Sequence, residues 1–212
     1  SMVEVLQKLK LREDFLFISH GFTVGDNNWD DYELFVKSAT EEMKHARRIE
    51  FAFHRKYKKE FPEGTPLVCA CEKGRVEDVE GMIRGARAAG MDVTAMVSEV
   101  GKASDGVSVT PLMAAAYKEH STIIEILLQY NADTATTTNY GNNALHYAAY
   151  INKTTTTTVQ LLLNNMKLED INHKTTYGDT PLDHCYKYND SSIKQQLIDL
   201  IRQKGGKRKS EL

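Results

Sequence analysis

The chain has 212 residues, with 27 Lys and Arg against 29 Asp and Glu and a formal net charge of −2, so no strong field draws it to nucleic acid or to an acidic membrane. Hydrophobic residues make up 41%, enough for a buried core, and no apolar run reaches the length of a membrane span. The three cysteines, Cys69, Cys71 and Cys185, are too sparse and too odd in number for a disulfide scaffold and point to a reducing compartment.

Ser1-Met2 reads as an expression scar ahead of a start residue, with no secretory leader after it. Residues 1–61 form a first organisational unit. Val5, Leu6, Leu9 and Leu16 predict an amphipathic helix, and residues 21–28, rich in Gly, Asp and Asn, predict a break. Asp30 or Asp31 can cap a second helical stretch whose apolar stripe runs through Phe35, Ala39, Met43, Ala46, Ile49, Phe53 and Tyr57. The basic residues between 47 and 59 then lie on its wet face, with a basic binding surface as the alternative. Ser19-His20 lacks the glycine elbow of a hydrolase nucleophile and reads as loop.

From residue 62 the pattern changes, and one unit recurs. Thr65-Pro66-Leu67 with Ala70 begins the first copy; Val79 and Met82-Ile83 follow at helical spacing. Thr110-Pro111-Leu112 with Ala114-Ala115-Ala116 begins the second, followed by Ile123-Ile124, Leu127-Leu128 and Asn131. Asn143-Ala144-Leu145-His146 with Ala148-Ala149 begins the third, and Thr180-Pro181-Leu182 the fourth, with Ile193, Leu197-Ile198 and Leu200-Ile201 after it. In each copy a Thr or Asn hydroxyl or amide can cap a helix. A proline at the first helical position costs no hydrogen bond, and small residues let the helix lie close to its neighbours. Asn131 and Gly141 stand where a left-handed residue ends a helix or tightens a turn. The second and third starts are 33 positions apart, the third and fourth 37, the first and second 45. The twelve extra residues divide into four that lengthen a helix near 86–89 and eight before Thr110. There Gly101, Ser104, Asp105 and Gly106 predict a loop or a hairpin finger over 96–106. Five consecutive threonines at 154–158 predict an irregular junction until about Thr157, and a second insertion falls within 164–170. Residues 204–212, opened by Gly205-Gly206 and carrying Lys207-Arg208-Lys209, predict a flexible basic tail, with a nuclear localisation element as the alternative.

The spacing and the Thr-Pro-Leu-His-x-Ala start resemble the ankyrin repeat. The resemblance covers residues 62–203 and implies an all-α solenoid of stacked helix pairs. Residues 1–61 then serve as the helical cap that an open-ended array needs. His146 then ties turn to helix, and Val68, Met113 and Asp183 hold the equivalent places, so no histidine constellation is expected. Cys69 and Cys71 fall on core positions. Glycosylation sequons at Asn152 and Asn189 are incidental in a cytoplasmic chain.

The resemblance also implies a protein-binding scaffold, monomeric, without cofactor, metal or small-molecule substrate and without catalysis. The alternatives are an enzyme, or the regulatory part of one, with its site in the N-terminal helices, or a nucleic-acid-associated factor using the 47–59 run. Partner contacts carried over from the family fall on the turn residues and on two positions after the paired small residues. In this chain those are Glu72 and Lys73, Tyr117 and Lys118, Tyr140 and Asn142, Tyr150 and Ile151. They continue with Tyr177 and Asp179, then Lys187 and Tyr188. Five of the ten tyrosines lie on this short set, which core packing does not explain, since a buried hydroxyl needs a partner.

Overall fold

A computed structural model of the chain describes residues 56, 59–150, 155–189 and 192–212. The expected helices of residues 1–55, the contact position Ile151 and the sequon at Asn152 lie outside the described residues.

Among the described residues, four helix pairs stack side by side. They are α1 (Pro66–Glu72) with α2 (Val76–Ala88), α4 (Pro111–Tyr117) with α5 (Ser121–Gln129), α6 (Ala144–Tyr150) with α7 (Thr157–Asn165), and α9 (Pro181–Tyr188) with α10 (Lys194–Gln203). Short helices α3 (Val93–Ser98) and α8 (Leu168–Ile171) and a two-stranded hairpin, β1 (Gly101–Lys102) with β2 (Ser108–Val109), fill the connections. The inner row is α1, α4, α6 and α9, and the outer row is α2, α5, α7 and α10, each helix packed on the next in its row.

The caps act as the sequence predicts in the later repeats. The Thr110 hydroxyl accepts from Met113 N at 3.2 Å, and the Thr180 hydroxyl from Asp183 N at 3.2 Å. Asn143 does the same work with its amide oxygen, accepting from His146 N at 3.2 Å. Thr65 differs: its hydroxyl makes no cap and accepts instead from Lys102 N at 2.9 Å, across the chain. Asn131 and Gly141 have φ of 58° and 75°, the left-handed values their positions need.

Inner helices of seven or eight residues are too short to hold without tertiary contacts. They are held by burial. Cys69, Ala70 and Cys71 in α1, Ala115 and Ala116 in α4, and Ala148 and Ala149 in α6 are completely buried, and their small side chains permit close stacking. Ile123, Ile124 and Leu127 in α5, Leu162 in α7 and Leu197 and Ile201 in α10 fill the space between the rows. Each such side chain contributes about 1.5–3 kcal/mol. All three cysteines are buried thiols; burial drives the Cys71 thiol far up, and lifts Cys185 to about 11, so both are packing groups at neutral pH.

The long first connection is partly helical. Helix α2 has 13 residues where α5 and α7 have nine, the four-residue extension expected. Residues 93–98 form α3, capped by Asp92 accepting from Ala95 N at 3.1 Å, so only the remainder of the 96–106 finger is a hairpin. Its tip repeats the turns of the later repeats. Ala103 N donates to Val107 O and Gly106 N to Ala103 O, as Thr138 N to Asn142 O and Gly141 N to Thr138 O, and Thr175 N to Asp179 O and Gly178 N to Thr175 O.

The tail expected to be loose is folded onto the last repeat. Lys207 N donates to Asn172 Oδ1 at 2.7 Å, and the Thr180 hydroxyl donates to Lys207 O at 2.7 Å. Arg208 Nε and Lys209 N both reach the Asp183 carboxylate, at 2.9 and 2.8 Å. A 3₁₀ turn, Lys209–Glu211, ends the chain with Glu211 paired to Arg202. Residues 205–209 thus lie where the turn of a further repeat would lie, and the Arg208 and Lys209 side chains pair with Asp183 and Asp179.

Candidate functional site

A groove of about 460 Å³ runs along the inner helices, beneath the hairpin and turns. Glu72 of α1 and the hairpin's Asp105 and Val107 stand at one end, Tyr117 and Lys118 of α4 and Asn142 in the middle, and His146, Tyr147, Tyr150 and His184 at the other.

The helix spacing makes its floor aromatic. Residues at the ends of successive inner helices stack in register, because each helix repeats the last one about 33 positions on. Tyr117 and Tyr147 meet edge to face at 6.0 Å, Tyr150 and Tyr188 at 4.9 Å, and His184 lies 6.0 Å from Tyr150 and 5.3 Å from Tyr188. Tyr150 and Tyr188 are 42% and 45% exposed, so part of each ring is open to solvent.

His146 is completely buried. Its Nε2 meets Asp179 O at 3.2 Å, and its Nδ1 meets Asn143, 3.2 Å from the backbone N and 2.8 Å from Oδ1. Burial, aided by His184, pushes its pKa down to about 3, so the ring is a neutral strut between turn and helix. The sequence register placed no second histidine beside it. The structure brings His184 to 4.9 Å and His173 to 6.3 Å, because the residue after Asp183 on α9 faces the groove while Asp183 itself turns to the tail. Burial lowers His184 as well. Among the described residues no group of three or more His, Cys, Asp or Glu side chains is arranged to hold a metal.

The charged residues divide. Burial would raise the Glu72 carboxyl, but hydrogen bonds from Ser104 and the neighbouring Lys73 take it below the usual carboxylate range. Ser104 N donates to it at 2.9 Å, which fastens the hairpin to α1. Lys73 bonds Ser104 Oγ at 3.2 Å and lies 5.1 Å from the Phe61 ring. Lys118 sits 5.0 Å from the Tyr117 ring.

Of the residues expected to meet a partner, Glu72, Tyr117, Lys118, Asn142 and Tyr150 line the groove, and Tyr188 extends it through Tyr150. Tyr140 and Tyr177 stand at turn tips, 62% and 75% exposed, and the turns are joined by Thr176 N donating to Tyr140 O at 3.0 Å. Asp179 is 4% exposed. Its carboxylate is taken by Lys187 at 2.5 Å and Lys209 at 2.7 Å, so Asp179 and Lys187 are held in a bracket at the last repeat. Sequence reasoning passed over Asp105, Tyr147 and His184. Asp105 was findable, since Ser104-Asp105-Gly106 repeats the spacing of Asn139-Tyr140-Gly141 and Thr176-Tyr177-Gly178. His184 carried no such signal.

Helix pairs, left-handed turns and a groove along the inner row define a repeat scaffold. The chain matches the family described as ankyrin repeats (3 copies) over residues 86–165 and 112–207, together more than half its length, and it belongs to the ankyrin-repeat family. The search of curated proteins found no match. Ankyrin repeats are generally protein–protein interaction modules. Among the described residues no helix is long and apolar enough to cross a membrane.

Proposed function

We propose that the chain is a non-enzymatic interaction module or adaptor that takes a partner protein or peptide on its concave face, along the inner-helix groove. The reading adds that it works as a monomer in the cytoplasm, without cofactor. The observation that carries it is the row of half-exposed rings, Tyr117, Tyr150 and Tyr188, on a rigid helical floor. Tyrosine brings a large contact area, a hydrogen-bonding tip and only two torsions to freeze. Tyr117 packs edge to face on Tyr147, and Tyr150 packs on Tyr188, so little is lost in ordering these rings when an occupant arrives. Tyr140 and Tyr177 at the turn tips form the rim of the same surface.

The test is affinity selection of a random peptide library on the full chain, followed by titration of the selected peptides. Alanine at Tyr117, Tyr150 or Tyr188 costs on the order of 1–3 kcal/mol in binding where the residue is a hot spot. The triple variant, folded by circular dichroism, loses binding. Unchanged affinity would move the interface to the hairpin or to residues 1–61.

A further inference from the structure

We propose that the groove takes a partner segment presenting an arginine side chain, seated between the Asp105 carboxylate and the Asn142 side chain and lying against Tyr147. This deepens the groove reading above and rests on it.

The polar atoms left over in the groove are acceptors. Asn142 Oδ1 and His184 Nδ1 are buried without a hydrogen-bond partner, and both residues line the groove. His184 is only 9% exposed. It is bonded to the backbone of His146, and since burial keeps the ring neutral, Nδ1 is a lone pair awaiting a donor. Asp105 gives one oxygen to Val107 N–H at 3.0 Å, and no other hydrogen bond to it occurs among the described residues. Its charge is felt by Tyr147, whose hydroxyl is raised by burial and by Asp105 against a hydrogen bond with Thr138. Thr138 also holds Asn142, by Thr138 N to Asn142 O at 2.9 Å and Asn142 N to Thr138 Oγ1 at 3.3 Å. Asp105, Tyr147 and Asn142 therefore share one neighbourhood.

An apolar or anionic occupant would leave these acceptors buried and unpaired. A guanidinium answers them. It carries five donors in one plane and no acceptor, stays charged, and stacks on an aromatic face. Three charges bear on its seat. Glu72 is ionised at the same end of the groove and partly offset by Lys73, and Lys118 covers Tyr117. The cation is thus excluded from the Tyr117 face and drawn to the Asp105 side. Asp105 holds the turn place that Tyr140 and Tyr177 hold later, so only the first turn puts a carboxylate at the groove. His184 Nδ1, further along, is left to take a backbone or side-chain N–H of the same segment.

The test uses the full chain and pools of fluorescein-labelled heptapeptides with random flanks lacking Arg and Lys, read by fluorescence polarisation. The central residue is arginine, its neutral isostere citrulline, or lysine. The arginine pool binds at least about tenfold tighter than either other pool, as a charge-assisted, planar contact requires. Asp105→Asn keeps an oxygen for Val107 N–H and so keeps the turn, and it removes most of that advantage. Tyr117→Ala with Tyr150→Ala weakens all pools. Equal binding of arginine and citrulline, equal binding of arginine and lysine, or an Asp105→Asn chain that still prefers arginine overturns the arginine assignment while leaving the groove reading. Arginine-pool binding untouched by the tyrosine pair overturns the groove reading itself. No arginine-pool binding up to about 1 mM peptide, the weak end of specific affinities, overturns the proposal.

Discussion

Two glycines in equivalent turns separate backbone strain from steric clash. Gly141 and Gly178 both have positive φ, 75° and 77°. A Cβ on Gly141 would come within 2.9 Å of Thr175 Cα and 3.1 Å of Thr176 N, whereas one on Gly178 meets nothing within 4 Å. Gly178→Ala then costs only the left-handed conformation, about 1–2 kcal/mol. Gly141→Ala costs more, because the turn at 138–142 must move off its neighbour. Urea unfolding of the two variants checks this, and equal costs would show that the turns part easily. The buried histidines set a pH dependence. His146 moves from an ordinary 6.5 to about 3 in the folded chain. Between those values the unfolded chain binds the extra proton, so stability is lost as pH falls below about 6.5. His146 alone removes about 1 kcal/mol between pH 6.5 and 5.5, and His184, lowered too, acts in the same direction. Asp179 and Asp183 are raised by burial but brought below the usual carboxylate range, Asp179 by Lys187 and Lys209 and Asp183 by Lys209 N, Arg208 and Thr180. They add to the loss only below about pH 4. An unfolding midpoint identical at pH 7 and 5.5 would contradict the neutral-strut role of His146.

At the scale of elements, residues 205–209 are held on the last described repeat in the manner of a turn. Arg208 also lies over Tyr186 at 4.6 Å, and Gly206 N donates to Ile201 O at 2.8 Å, ending α10. Without residues 207–212 the Thr180 hydroxyl and the Asp179 and Asp183 carboxylates lose partners on the folded chain. A chain ending at Gly206 is therefore less stable by roughly 2 kcal/mol, allowing for the partial exposure of Arg208 and Lys209. An unchanged urea midpoint would mean that the tail only lies on the surface. Thr65 makes a comparable point at the other end. Its hydroxyl binds the hairpin where Thr110 and Thr180 cap their helices, so the first repeat trades a cap for a fastening across 37 residues.

At the scale of the whole molecule, a helix pair in a stacked array exposes an apolar side wherever no neighbour lies against it. The described end of the N-terminal segment lies on the first repeat. Phe61 packs against the core, Glu60 pairs with Arg75, and Lys56 with Asp78 at 2.5 Å. A chain starting at Pro62 loses Phe61 and both ion pairs, so it melts lower or aggregates. A truncated chain that stays monomeric with an unchanged melting temperature would rule out a capping role for residues 1–61.

The repeat period, the helix starts at Thr110, Asn143 and Thr180, the left-handed Asn131 and Gly141 and the lengthened α2 are all legible in the sequence. Each rests on contacts within a few residues, which leave a pattern in the order of side chains. The fate of the tail, the second use of the Thr65 hydroxyl, the approach of His184 to His146 and the entry of Asp105 into the groove join residues about 25 or more positions apart. Those distances come from how one helix pair stacks on the next. A stack of helix pairs with a tyrosine-rich inner face follows from the order of residues alone. Which polar atoms in that face find a partner within the chain, and which, such as Asn142 Oδ1 and His184 Nδ1, do not, follows from the stacking of the repeats, because it depends on the side chains packed around each atom and not on its place in the repeat.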